Sequence, residues 1–227
     1  LMGMTLLMAV IGGCWWQWQK PLEEITPAVV EYRKTLRVAV PVDLIPPSHD
    51  IEASVELTLA NELAKTLNAK LEILPFQRLE QVPALLNRGE VDIALAIPAN
   101  SPVIRDLALT SAYLEIQHYL VHKNSIHRPR NMEDVQGQLR VPAGSRAAEL
   151  LLQVKQDDPR LVWTESTQSN GDLLHAIIDE TLEFSVIPSP VYAIKRNIYP
   201  ELMAGFTVGE KEGWHWAVAK NNQALFA

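Results

Sequence analysis

Few side chains in this sequence have the type and spacing to hold a small anion. Arg105 follows the apolar run 91–97 (VDIALAI) by a short loop that also holds Ser101. A guanidinium there can grip a carboxylate with two parallel hydrogen bonds, or it can simply finish a surface loop. Ala143-Gly144-Ser145 stands where a helix is expected to open. Such a start offers backbone N–H groups and the positive end of the helix dipole to an anion, while Ser145 alone reads equally well as an ordinary N-cap. Tyr113, after Thr110-Ser111-Ala112, can stack on a ligand or pack between structural units. Trp163, Trp214 and Trp216 read as core first, with Trp214 and Trp216 on one face of a strand.

Enzyme chemistry has little to work with. There is no Gly-x-Ser-x-Gly elbow, and the one cysteine, Cys14, sits in an N-terminal apolar segment, so no acyl-transfer centre is visible. Neither Gly-x4-Gly-Lys-Ser/Thr nor Gly-x-Gly-x-x-Gly occurs among the ten glycines, which removes the usual phosphate cradles. The pairs Asp157-Asp158 and Asp179-Glu180 fall near expected helix ends, where solvated charge is the ordinary reading. Glu165-Ser166 has the form of a transglycosylase acid pair, but no Gly-Leu/Val-Met-Gln run follows it. Six histidines and one cysteine show no zinc-ligand spacing. The sequence therefore implies no catalytic residue, no metal and no cofactor within the chain.

The elements that must position these residues follow from periodicity. Residues 36–41 (LRVAVP) form a short β-branched burst closed by proline, a strand. Pro46-Pro47 forces a loop. Val55, Leu59, Leu63 and Leu67 recur every four residues, which predicts a helix with one buried face. Strand 71–74, an amphipathic helix stopped at Asn87-Arg88-Gly89, and the fully apolar strand 91–97 complete a βαβαβ unit. Parallel pairing is the strong default for such a unit. Residues 116–123 are extended, and Arg128-Pro129-Arg130 suits a connector. The pattern then restarts: strand 139–142, helix 144–156, strand 161–164, helix 172–181 and strand 184–187. Two α/β halves in tandem predict two lobes around a cleft.

Composition agrees with a folded α/β protein of 227 residues, 48% hydrophobic and 21% charged, with a mean hydropathy of −0.00. Twenty basic against twenty-seven acidic residues give a net charge of −7, which makes nucleic acid an unexpected partner. Residues 1–13 (LMGMTLLMAVIGG) carry no charge and lead into Cys14, the pattern of a bacterial lipoprotein signal with Cys14 as the lipidated residue. An uncleaved anchor, with Trp15, Trp16 and Trp18 as an interfacial belt, and a buried helix are the competing readings. The first two export the chain to a membrane surface, most naturally in the periplasm on the outer membrane.

The stretches LRVAVP, ELTLANELAKTLNAKLEIL, NRGEVDIALA, TSAYLEIQHYLVHK, MEDVQGQLRVPAGSRAAELL and KEGWHWAVAKNNQAL resemble, in order and spacing, the type II periplasmic solute-binding proteins of the amino-acid-binding family. RPRNMEDVQGQLRVPAGSRAAELL, DDPRLVWTES and KRNIYPELMAGFTVGEKEGWHWAVAK further resemble the N-terminal module of the membrane-bound lytic murein transglycosylase F family. The resemblance implies an α/β fold of two doubly wound lobes joined by two crossover strands. Residues 1–19 would be the signal or anchor and 20–35 a connector. Lobe 1 would comprise 36–118 plus 213–227, and lobe 2 would comprise 119–212. It implies an amino-acid or muropeptide ligand in the cleft, with Arg105, Ser101, Tyr113, Gly144, Ser145 and Ser189 as candidate contacts.

The same resemblance implies peptidoglycan as the substrate of a catalytic domain beyond Ala227. Two departures from the family pattern bear on the ligand. The loop before Arg105 is displaced by one residue from Thr-x-x-Arg, and Pro188 stands where an Asp would hold an α-ammonium. A free amino acid, a peptide, a muropeptide and an empty cleft all remain open, as does a stand-alone solute-binding lipoprotein serving an importer.

Overall fold

The computed structural model describes residues 25–45, 54–124, 128–135 and 138–226. Residues 1–24, with Cys14 and the tryptophans at 15, 16 and 18, and the Pro46-Pro47 loop lie outside the described residues.

Helix α1 (Pro27–Arg33) starts at Thr26, whose hydroxyl accepts from Val29 N, and Pro27 is preset for the first turn. Val30 and Ile25 are buried in the first core, Ile25 N donates to Asn222 Oδ1 at 2.8 Å, and Arg33 pairs with buried Asp92. Strand β1 (Thr35–Pro41) follows, then a one-turn 3₁₀ helix (Val42–Leu44), α2 (Val55–Thr66), β2 (Lys70–Phe76), α3 (Val82–Asn87) and β3 (Ile93–Pro98). β1 lies between β2 and β3, parallel to both, as the βαβαβ reading requires. Successive residues of β1 serve opposite cores, Val38 and Val40 on one face and Ala39 on the other.

After β4 (Leu107–Leu109), the long strand β5 (Leu114–Lys123) leads into the second half. There β6 (Arg140–Pro142), α4 (Arg146–Asp157), β7 (Thr164–Ser166), α5 (Asn170–Ile178), β8 (Ser185–Pro188) and α6 (Ser189–Ile198) follow in turn. Strand β9 (Leu202–Ala219) then returns over eighteen residues. It pairs antiparallel with β5 from Leu202↔Lys123 to Trp214↔Leu114, and its last part pairs with β3 and β4. A single path β2-β1-β3-β9-β5-β8 therefore runs through both halves, while β6 and β7 pair parallel beside it and Leu139 bridges Phe184.

The structure differs from the sequence reading at four elements. The strand expected at 161–164 begins at Thr164, so Leu161 to Trp163 precede it as irregular chain. The reading gave β4 and α6 no element of their own. It also anticipated only the Trp-containing end of β9, because Gly205, Gly209 and Gly213 interrupt the apolar alternation. Gly209 has φ +73°, and a methyl there would lie 2.6 Å from Leu150 Cδ2. The strand passes too close to α4 for a side chain, so glycine marks close packing here rather than a break.

Candidate functional site

The C-terminal ends of β1 and β3 in the first half face the ends of β6, β7 and β8 in the second. Strand ends of this kind are where open α/β sheets bind ligands. Asp43 and Ser101 each reach across from the first side to residues of the second that are distant in sequence.

Asp43, in the turn after β1, gives both carboxylate oxygens to the first turn of α5. Oδ2 accepts from Asn170 N at 3.1 Å and Asn170 Nδ2 at 2.8 Å, and Oδ1 accepts from Gly171 N at 2.8 Å. A carboxylate at a helix N-terminus satisfies orphan donors and opposes the dipole favourably. Ser101, buried at the end of β3, donates from Oγ to Glu149 Oε1 at 3.2 Å. The Glu149 side chain in turn accepts from Arg146 Nη1 at 2.9 Å, and Arg146 Nε reaches Glu212 Oε2 at 2.7 Å. Glu212 Oε1 then lies 3.6 Å from His118 Nδ1.

The chain Ser101–Glu149–Arg146–Glu212–His118 thus runs from a strand-end loop through the first turn of α4 to the two strands that cross between the halves. Burial alone would lower the Arg146 pKa, but its hydrogen bonds to Glu212 and Glu149 outweigh that and hold it above the ordinary value. Burial first, and the Arg146 charge second, push His118 down to about 4. His118 is therefore neutral near pH 7. Neither its Nδ1 nor Glu212 Oε1 has a hydrogen-bond partner.

The candidates read from sequence are distributed around this network. Ser101 is part of it. Ser145 is the N-cap of α4, accepting from Ala148 N at 3.3 Å. Gly144, at φ +64°, donates its N–H to Glu165 Oε2 at 3.2 Å, and a methyl on it would run into Glu80 Oε1. Side-chain carboxylates from both halves thus approach the backbone expected to cradle an anion. Ser189 opens α6, and its Oγ accepts from Gln117 N at 3.2 Å. Pro188 ends β8 opposite His118; its ring offers no donor or charge. Arg105 is exposed, and its guanidinium has no hydrogen-bond or ion-pair partner among the described residues. Tyr113 stands edge-on to Trp216 with ring centroids 6.1 Å apart. Burial, and then the nearby Glu56 carboxylate, raise the Tyr113 pKa.

Asp43, Arg146, Glu149, Glu212 and His118 were not singled out from sequence. The Arg146-x-x-Glu149 spacing on one helix face was the only available signal, since the other partners are distant in the chain. The carboxylate pairs discounted there are solvated as expected: Asp158 contacts Arg160, and Glu180 contacts Lys123. Among the described residues no cluster of His, Cys, Asp or Glu could hold a metal ion, and no helix is long and apolar enough to cross a membrane.

No protein-family model matches the chain. Curated relatives described as membrane-bound lytic murein transglycosylase F do. The Aeromonas hydrophila protein is 27% identical over 224 residues, covering 96% of this chain and 44% of its own length. That of Pseudoalteromonas translucida is 31% identical over 179 residues, covering 78% and 38%. Among solved structures, the cysteine-binding protein from Campylobacter jejuni superposes with a TM-score of 0.71 at 15% identity, covering 88% of this chain and 83% of that one. An amino acid ABC transporter substrate-binding protein from Streptococcus pneumoniae, bound to L-arginine, gives 0.71 at 17% identity over 88% and 86%. The chain has the type II periplasmic-binding-protein fold, and it is homologous to a part of membrane-bound lytic murein transglycosylase F, spanning about two-fifths of the length of those relatives.

Proposed function

We propose that the chain is a non-catalytic, solute-binding-like regulatory module of a membrane-anchored lytic murein transglycosylase that acts on peptidoglycan. The module is held in the periplasm, with Cys14 as the lipid attachment point to the outer membrane, and the catalytic domain lies beyond Ala227. The observation that carries this reading is the homology to transglycosylase F over most of the chain, combined with contacts that tie strand-end loops across the cleft. A ligand in the cleft shifts the balance between joined and parted lobes by its differential affinity for the two. The shift reaches a linked domain only if that domain contacts the two states differently.

Arg105 is the carboxylate grip in this account, because it is an unpaired cation beside Ser101. Gly144, Ser145 and Ser189 line the opposing side, and Tyr113 supplies a face near the crossing strands. With Pro188 in place of an acid, the ligand is a muropeptide or stem peptide rather than a free amino acid. Calorimetry of the chain from Lys20, with the residues that follow Ala227 restored, tests this. Stem peptides should bind, and Arg105→Ala should weaken them by about tenfold or more, as expected for loss of a charge-assisted pair. Binding of one free amino acid in preference to any peptide would overturn the ligand assignment. It would favour the second reading, a solute-binding lipoprotein delivering an amino acid to an ABC importer, which the likeness to the Streptococcus pneumoniae substrate-binding protein supports.

A further inference from the structure

A cavity of about 1080 Å³ opens at the end of the second half away from the cleft. Its place follows from register: on β5, His118 pairs with Pro188 at the cleft end of β8, and Val121 pairs with Ser185 at the other end. Residues 122–124 therefore lie on the far side. The floor is apolar, formed by Ile177, Leu182 and Phe184, and the rim carries Arg128 and Arg130.

His122 lines this cavity and is 3% exposed. Its Nδ1 lies 2.7 Å from Lys123 O, and a carbonyl can only accept, so Nδ1 carries the hydrogen. In the neutral ring Nε2 is then an acceptor, and it has no partner. Buried acceptors left unmatched are uncommon in folded proteins. The rim charges divide cleanly. Lys123 is engaged with Ile178 O at 2.9 Å and Glu180 Oε1 at 2.6 Å, and Asp134 Oδ2 accepts from Arg130 N at 2.9 Å. The guanidinium groups of Arg128 and Arg130 are left without a carboxylate or acceptor among the described residues, and both residues are exposed.

We infer that this cavity is a second ligand site, separate from the cleft, for a short peptide that offers its terminal carboxylate to Arg128 and Arg130 and an N–H to His122 Nε2. Each part of the site demands one part of that ligand. Two unpaired guanidinium groups call for an anion. The orphan acceptor calls for a donor, which a bare carboxylate lacks and a peptide N–H supplies. The floor of Ile177, Leu182 and Phe184 calls for an apolar side chain between them, and Glu183 on the rim suits the peptide's ammonium.

The test uses the chain with ¹⁵N-labelled histidine and tri-alanine as probe, with the His122 resonance assigned by its loss in His122→Gln. Tri-alanine should move the Nε2 signal away from its free-acceptor position. Tri-alanine amide, and the variant carrying Arg128→Gln with Arg130→Gln, should each lower the apparent affinity by about tenfold. Both arginines are exposed, so this variant should keep the fold. An Nε2 signal that stays still under saturating tri-alanine overturns the proposal, as does equal binding of acid and amide. A response abolished by Arg105→Ala would place the peptide in the cleft instead and equally overturn it.

Discussion

Asp43 and His118 show how single side chains set the state of the cleft. Asp43 is joined to a helix start 127 residues later, supplying from within the chain the kind of carboxylate that a ligand would bring to such a site. Asp43→Ala removes three acceptor contacts and should lower the stability of the chain by about 1–3 kcal/mol, readable as a shifted urea midpoint. It should also widen the distribution of lobe separations. His118 governs acid sensitivity. Its folded pKa of about 4 lies below the ordinary 6.5, so between these values the unfolded chain binds a proton that the folded chain refuses. Stability should therefore fall as pH drops from about 6.5 to about 4, by at most roughly 3 kcal/mol. His118→Gln should flatten that part of the pH–stability curve, and an unchanged slope in the variant would assign the acid sensitivity to other groups.

At the scale of elements, close approach and buried charge carry the consequences. Gly209→Ala places a methyl against Leu150 at a positive φ, and it should cost about 1–3 kcal/mol through strain and overpacking, visible as a lower thermal midpoint. Asp92 is fully buried and binds Arg33 of α1, together with Arg37 Nη2 and N of β1, both at 2.8 Å. Asp92→Ala should loosen α1 first, and hydrogen exchange at Val30 and Glu31 should rise before exchange in β3 does. Much of this layer was legible in the sequence. The proline closing β1 and the apolar run of β3 are local signals, and those elements lie where the signals put them; the four-residue repeat located α2 but not its buried face, which is Leu57, Ala60 and Ala64, while Val55 and Leu59 are exposed. β9 was only partly legible, because its eighteen residues are held by pairing with β5 and β3 rather than by their own alternation. The interlobe contacts were illegible for the same reason: Asp43 meets Gly171 across 128 residues, and no spacing rule reaches that far. Arg105, Ser101, Gly144, Ser145 and Ser189 could be placed at strand ends because the order of elements alone fixes which loops follow which strands.

For the whole molecule, the continuous sheet and the cross-cleft network make a single mechanical claim. β5 and β9 run through both halves, so the halves can part only by bending those strands, and His118 and Glu212 lie where they cross. Ligand in the cleft and Asp43 at the start of α5 should therefore act on one equilibrium. Pulsed electron resonance between spin labels at exposed Lys65 on α2 and exposed Gln156 on α4, in the full-length protein with Cys14 replaced by serine, measures that equilibrium directly. A stem peptide should narrow the distance distribution and shift it toward the joined state, Asp43→Ala should broaden it, and peptide should restore the narrow form. A distribution indifferent to both peptide and Asp43→Ala would contradict the account.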